Sequence, residues 1–315
     1  MRVALVGTGW IMKFHARAVL EYPEASLFAA ANWREDSLAR LAAEFGIPRT
    51  TTRWEDLAED PDVDAVVVGT PNALHAPQAV AFLRAGKHVL VEKPMATSVA
   101  EADEMITASR ASGAFLMVAH CWRFHDDVRS MRDRVAAGEF GDVVKTRGYG
   151  VHAGWGPSGW FTDRALAGGG ALLDMGVHAI DTARFLLGDP LPSAVCAVVQ
   201  RRYGDYEVDD DGILLIRWEG GTNSIVESGW WQPHLAGLEA DTEIYGTRGY
   251  DRIWHFTEAP PGYEHCAQPM YSAQMAAFLG GVAGGTPPRP DGEDGRVVMQ
   301  IVEDAYRSSA ATPAG

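Results

Sequence analysis

The first 120 residues alternate short apolar runs with amphipathic stretches, and the first of these junctions carries the glycines Gly7 and Gly9. That repeat leaves few architectures open. Strands that read apolar on both faces must be covered on both faces, so the pattern predicts a doubly wound α/β domain: a parallel sheet with helices on either side. Candidate strands fall at 2–6, 26–31, 63–68, 88–92 and 115–119, and helical patterns lie near 11–21, 35–45, 73–85 and 98–111. Ser98 and Glu101 have the spacing of a capping box, which marks where the last of these helices begins.

After residue 121 the rhythm changes. A helix near 126–137 precedes a glycine-rich region to about 188, and longer alternating segments follow at 194–203, 212–218, 222–231 and 241–247. Such alternation, with turns like Glu219-Gly220-Gly221, predicts an α+β domain with a large, mostly antiparallel, open sheet. A stiff Thr286-Pro287-Pro288-Arg289-Pro290 segment leads to a last helix around 294–309. Two domains, 1–121 and 122–315, suit a chain of 315 residues. No apolar run approaches membrane-spanning length. The net charge of -15, without any Lys/Arg run, argues against a nucleic-acid partner. Cys121, Cys196 and Cys266 are widely spaced and odd in number, which fits reduced thiols and a cytoplasmic location, with no metal-ligand spacing.

Gly7-Thr8-Gly9-Trp10-Ile11-Met12 follows a strand and opens a helix, the context of a dinucleotide-binding turn. The first glycine permits the tight turn and the second lets a pyrophosphate approach the N–H groups of the helix start. Met12 takes the place of a third glycine, so helix and strand are expected to pack slightly further apart. At the end of the second strand the adenosine ribose of a nicotinamide cofactor needs a carboxylate for its 2′-hydroxyl or a cation for a 2′-phosphate. Here Asn32, Trp33 and Arg34 stand there. Asn32 does not repel a phosphate, Arg34 can bind one, and Trp33 can lie against adenine, so NADP(H) is favoured over NAD(H). Thr70-Pro71-Asn72 with His75 occupies the next carboxyl edge and, together with Glu92 and Lys93, is expected to contact the cofactor, although Asn72 can also simply cap a helix. Glu92-Lys93-Pro94 ends the fourth strand and holds a lysine at the edge where open α/β sheets bind ligands. In the second half, Asp174 and His178 lie four apart on one helix after Gly168-Gly169-Gly170, whose glycines allow backbone or substrate to come close. The carboxylate can orient the imidazole. Tyr149, His152, Trp155, Trp160 and Phe161 form an aromatic loop open to two readings, contact with the apolar face of a sugar or polyol, or packing on itself. Arg123 either touches substrate or ties the domains together.

Taken in order, these stretches resemble the Gfo/Idh/MocA oxidoreductase family, and the resemblance extends through Ala85-Gly86-Lys87-His88-Val89 to Gly292-Glu293-Asp294-Gly295-Arg296. It implies a Rossmann domain followed by a substrate domain whose open sheet often joins subunits, hence a homo-oligomer, dimer or tetramer. It also implies a nicotinamide cofactor and Lys93, Asp174 and His178 as catalytic residues. The expected activity is hydride transfer between nicotinamide and a secondary alcohol or ketone of a sugar or polyol. A cofactor-binding regulator without turnover, and a redox-neutral enzyme that retains its cofactor, are the alternatives.

Overall fold

The computed structural model describes residues 1–233, 239–254 and 263–311, and side chains in all of these but residues 254 and 263–266. The Cys266 thiol therefore lies outside the described residues. The chain forms two compact units, Met1–Cys121 with Glu264–Arg296, and Trp122–Tyr263 with Val297–Gly315. The two-way division of the sequence assigns residues 264–296 to the C-terminal domain, whereas in the structure they pack with the first unit.

In the first unit the order is β1 (Arg2–Val6), α1 (Ile11–Glu21), β2 (Ser26–Ala31), α2 (Glu35–Phe45), β3 (Thr50–Thr51), α3 (Glu55–Glu59), β4 (Ala65–Val68), α4 (His75–Arg84), β5 (His88–Glu92), α5 (Val99–Ser112) and β6 (Leu116–Ala119). The six strands form one parallel sheet in the order β3-β2-β1-β4-β5-β6. Every residue of β4 is buried, as a central strand covered on both faces must be. The order reverses at β1 and β4, so the turns after these strands meet at the carboxyl edge, the place where such sheets take a ligand. Beyond β6 the chain around Pro290 and Asp291 returns. Val118 N–H donates to the Pro290 carbonyl at 2.9 Å, which covers an edge that would otherwise expose ladder groups.

The second unit contains α6 (Asp126–Ala136), β7 (Val143–Val151), α7 (Arg164–Ala167), α8 (Val177–Leu186), β8 (Pro192–Gln200), β9 (Asp211–Trp218), β10 (Asn223–Gly229), β11 (Ala240–Gly246) and β12 (Tyr250–Trp254). Its sheet runs β12-β11-β7-β10-β9-β8, antiparallel except between β7 and β10. Along β9, Gly212, Leu214, Ile216 and Trp218 turn inward while Ile213, Leu215 and Arg217 stay exposed, the period-two pattern of a sheet with one covered face. Two helices complete the chain, α9 (Tyr263–Gly284) and α10 (Gly292–Ala310). Ser309 Oγ accepts from Val199 N–H and donates to its carbonyl, and Ser308 Oγ accepts from Ala197 N–H, so the end of α10 satisfies the outer edge of β8. No helix among the described residues is long and apolar enough to cross a membrane.

Candidate active site

In the first unit, the turn after β1 is shaped by Gly7. Its φ of 107° is open to glycine, and a Cβ there would lie 2.4 Å from the Gly69 carbonyl oxygen. Gly9 faces open space at the start of α1, so backbone N–H groups there can be approached by a pyrophosphate, and the turn fits a dinucleotide. Met12 is fully buried. Its sulfur sits where a side chain on Gly69 would be, so the bulk expected to push helix and strand apart is taken up by the bare residue at the end of β4. Trp10 is half exposed at the helix start, edge-on to Phe14, with Ile11 beside it.

At the end of β2, Asn32 Nδ2 donates to Ser37 Oγ at 2.9 Å, and Ser37 Oγ also meets Thr8 Oγ1 at 2.9 Å, which links the glycine turn to α2. Trp33 is 78% exposed, and the Arg34 guanidinium lies over its ring, 5.9 Å from the centroid. Asp36 is the nearest acid, 3.7 Å from Arg34 Nε. At the end of β4, Thr70 Oγ1 donates to Gln78 Oε1 at 2.7 Å, and Pro71 leads into a 3₁₀ turn, Asn72–Leu74. Asn72 is buried in that turn and is no cap for α4, which starts at His75 with Leu74 in the cap position and no side-chain cap bond. The His75 ring is buried between two backbone carbonyls, with Nδ1 2.8 Å from Pro94 O and Nε2 2.8 Å from Thr70 O. It faces backbone, where the sequence suggests a cofactor contact. Burial holds its pKa below the ordinary range against the pull of those carbonyls. Glu92, read as a second cofactor contact, is likewise turned inward. It is buried beside His15, while Lys93, the next residue, is partly exposed.

In the second unit, Asp174 lies in a π-helical turn, Leu172–Gly176, that runs into α8. Such wide turns recur at functional sites. The turn is anchored by Asp209, whose carboxylate accepts from the N–H groups of Gly170 and Leu172 and from Tyr306 Oη. A Cβ on Gly170 would lie 1.8 Å from the Asp209 carbonyl oxygen. Of the two uses open to the glycine run, approach of backbone is the one met at Gly170. Asp174 Oδ2 accepts from Trp230 Nε1 and from His152 Nε2, each at 3.0 Å. His178 stacks on Trp122 with the centroids 4.5 Å apart. His152 Nδ1 is 3.5 Å from Glu239 Oε1, and the same oxygen accepts from Trp155 Nε1 at 2.7 Å. Trp155 stacks on His152 at 3.7 Å, and Trp160 stacks on Phe161 at 3.8 Å. Phe161 in turn packs against the buried cluster of Ala171, Val208 and Trp230, so that half of the loop is packing. Tyr149 is half-buried on β7.

Burial disfavours charge on His152, but Asp174 and Glu239 outweigh it and hold its pKa above the ordinary value of about 6.5. A pKa raised by folding means that the native state binds the proton more tightly. The stabilisation is therefore complete below about pH 6.5 and is lost as pH rises through the raised folded value. Melting curves at a series of pH values are expected to show His152→Phe most destabilised relative to the parent below pH 6.5, with the gap closing in alkali. A gap that is constant or widens with pH would contradict this.

Arg123 departs from its reading as a substrate contact. It is 3% exposed and bidentate to Asp181 at 2.7 Å, with Asp189 at 3.1 Å, so its head group is committed to acids of its own unit. Trp122, Trp230, Glu239 and His15 escape a reading of the sequence, because each is joined to its partner only by the fold: Trp230 is 56 residues from Asp174, and His15 is 77 from Glu92. Among the described residues no cluster of three or more His, Cys, Asp or Glu is arranged to hold a metal ion.

A parallel six-stranded sheet with a glycine turn at its switch point is the architecture of a Rossmann-type, dinucleotide-binding domain. Residues 1–120 match a family described as an oxidoreductase family with an NAD-binding Rossmann fold, and residues 128–250 match the GFO/IDH/MocA C-terminal domain. The chain is 35% identical over 274 residues to a 1,5-anhydro-D-fructose reductase of Ensifer adhaerens, covering 82% of this chain and 80% of that protein. Among solved structures it is similar to GenD2 from gentamicin A biosynthesis in complex with NAD (TM-score 0.91, 29% identity, 99% of this chain and 94% of that one). It is also similar to a levoglucosan dehydrogenase in complex with NADH (TM-score 0.88, 26% identity, 98% and 97%). The chain belongs to the Gfo/Idh/MocA family and is an oxidoreductase with an NAD-binding Rossmann domain.

Proposed function

We propose that the enzyme interconverts a secondary alcohol and a ketone on a sugar, polyol or similar small molecule, with Lys93, His178 and Asp174 as its catalytic residues. The observation that carries the substrate class is Trp155. It is 44% exposed, and its indole is fixed by His152 on one side and Glu239 at its N–H, so a rigid aromatic face is offered beside groups that bind hydroxyls. The names of the relatives, an anhydrofructose reductase and a levoglucosan dehydrogenase, support the same class.

The turn at Gly7 and Gly9, with Trp10 and Ile11, holds the pyrophosphate, and Asn32, Trp33 and Arg34 hold the adenosine end. When bound, the nicotinamide supplies or accepts a hydride at the substrate carbon. His178 gives or takes the hydroxyl proton, held in place by its stack on Trp122. Asp174 supplies negative charge from the π-helical turn that leads into the helix of His178, and Lys93 donates a hydrogen bond to the reacting oxygen, stabilising charge that develops there. Nicotinamide absorbance followed with myo-inositol, levoglucosan and 1,5-anhydro-D-fructose tests the reading. A substrate-dependent change supports it, and a cofactor that binds while no member of the panel reacts would overturn it.

The finer cofactor assignment is NADP(H) over NAD(H), because Asn32, and not a carboxylate, follows β2 and Arg34 is exposed beside it. Removing a charged hydrogen bond to a 2′-phosphate costs about 1.5–3 kcal/mol. Arg34→Ala is therefore expected to weaken NADP(H) binding by about 10- to 100-fold, read by thermal shift, and to leave NAD(H) unchanged. Equal weakening of both cofactors would remove Arg34 from the assignment.

The outer face of the second sheet is proposed as the surface of a homo-oligomer. Ile213 and Leu215 are 54% and 50% exposed, and Val198 and Ile225 are their cross-strand neighbours, flanked by the Arg147–Glu227 ion pair. Sedimentation velocity is expected to find a dimer or tetramer that Leu215→Glu converts to monomer. A parent that already sediments as a monomer would refute the surface. The free thiols of Cys121 and Cys196 support a reducing, cytoplasmic setting.

A further inference from the structure

The backbone on either side of Lys93 is gripped by two buried histidines that come from different helices. On the near side, His15 of α1 is 0% exposed and its Nε2 lies 2.7 Å from Glu92 Oε1. The other carboxylate oxygen, Oε2, accepts from the Lys93 backbone N–H at 3.1 Å, so one buried side chain ties α1 to the lysine's own peptide. The His15 ring meets Tyr271 of α9 edge-on at 5.2 Å, and Tyr271 is itself buried, which leaves the imidazole little room to turn. On the far side, the His75 ring of α4 is wedged between the Pro94 carbonyl, 2.8 Å from Nδ1, and the Thr70 carbonyl, 2.8 Å from Nε2, and its neutral form donates its one N–H to one of them. The last strand residue, the lysine's amide and the carbonyl after it are thus each held at a fixed point.

We propose that His15 and His75 are positioning residues for Lys93, setting where its ammonium stands without themselves touching substrate or cofactor. A bare hydrophobic seat would suffice to bury this turn. What the two imidazoles add is direction, because each hydrogen bond fixes one backbone or carboxylate atom next to the lysine. His15 also sits on the helix that starts at the glycine turn, so the element offered to the pyrophosphate and the element that carries the lysine share one buried contact. Misplacement of a reacting group by about 1 Å can cost about 100-fold in rate. The inference rests on the role proposed above for Lys93.

The chain has four lysines, Lys13, Lys87, Lys93 and Lys145. Reductive ¹³C-methylation therefore gives a lysine spectrum simple enough to follow Lys93 alone, without any substrate. In His15→Leu and in His75→Leu the Lys93 resonance is expected to move away from its position in the parent. In His15→Gln, which keeps a donor where Nε2 stood, it returns. Lys87, held by the Asp60 carbonyl at 2.6 Å, reports an intact fold by staying in place. Should the Lys87 signal also collapse in a leucine variant, Glu92→Gln, which keeps shape and removes charge, carries the same test with a displacement in the same direction. In turnover, His15→Leu is expected to lower kcat by about 10- to 100-fold with cofactor KM within about twofold. It should add no further loss to Lys93→Met. An unmoved Lys93 resonance in the folded leucine variants, or equal losses in His15→Leu and His15→Gln, overturns the inference. Full activity in Lys93→Met would instead remove the lysine's role itself, so the two failures are distinguishable.

Discussion

Lys93→Met is expected to lower turnover by about 10²- to 10⁴-fold while the cofactor still binds, the range typical of a group that acts on a proton or charge in the transition state. Methionine matches the lysine stem in length and removes the ammonium. Glu92 and Pro94 on either side keep their partners, since these bonds run through the Glu92 carboxylate, the Lys93 amide and the Pro94 carbonyl. The loss should therefore appear in kcat, with the cofactor dissociation constant within about twofold, because the glycine turn and the residues proposed to hold the adenosine end follow β1 and β2 and do not depend on the lysine head. A variant whose cofactor affinity falls while kcat is kept would make Lys93 a cofactor ligand and nothing more.

His178→Phe is the second large effect expected, again about 10²- to 10⁴-fold in kcat. Phenylalanine preserves the ring that stacks on Trp122 and fills the same buried volume at the start of α8, so the melting temperature should change little. It has no nitrogen to carry a proton. If the Phe variant keeps its rate, His178 is a packing residue whose stack is its whole role, and the proton must be handled by another group, of which His152 is the nearest in chemistry. The pH–rate profile separates these cases: removal of the true proton carrier abolishes the limb that it controls.

The sheet of the first unit was legible because its strands are apolar on both faces and its helices amphipathic: β1, β2, β5, α1 and α2 fall where the sequence puts them. The elements that escaped share a reason. Helix α9 carries Pro269 inside it, and although its buried residues, Ala267, Met270, Tyr271, Gln274, Met275, Phe278 and Leu279, recur at helical spacing, the opposite face holds Ala273, Ala276, Ala277 and Gly280 and so offers no polar stripe to betray the period. Strand β7 was absorbed into the glycine-rich region because Gly148 and Gly150 weaken its strand pattern. A Cβ on Gly150 would lie 2.4 Å from the Met175 carbonyl oxygen, so the glycine is required by the turn that carries Asp174. Short β3 and α3 between 50 and 59 have too few residues to show a period.

For the site, residue types at the sheet edge were legible and their partners were not. Lys93 and Gly7 could be found by position relative to a strand. That Glu92 turns inward to His15, that Arg123 is consumed by Asp181 and Asp189, and that Asp174 takes His152 and Trp230 are facts of tertiary contact between residues dozens of positions apart. In the aromatic loop Trp160 stacks on Phe161, which packs on the core, while Trp155 keeps an exposed face.

The most direct test of the central claim follows the transferred hydrogen itself. Reduced NADP and reduced NAD, each carrying deuterium at the transferable nicotinamide position, are incubated with the protein and 1,5-anhydro-D-fructose alongside other sugar and polyol ketones, and the products are read by mass spectrometry. Direct hydride transfer predicts an alcohol product with one deuterium on the carbon that was the carbonyl, formed by the parent and lost in both Lys93→Met and His178→Phe. Bound cofactor that yields no labelled product with any ketone, or label that arrives equally well in both variants, would contradict it.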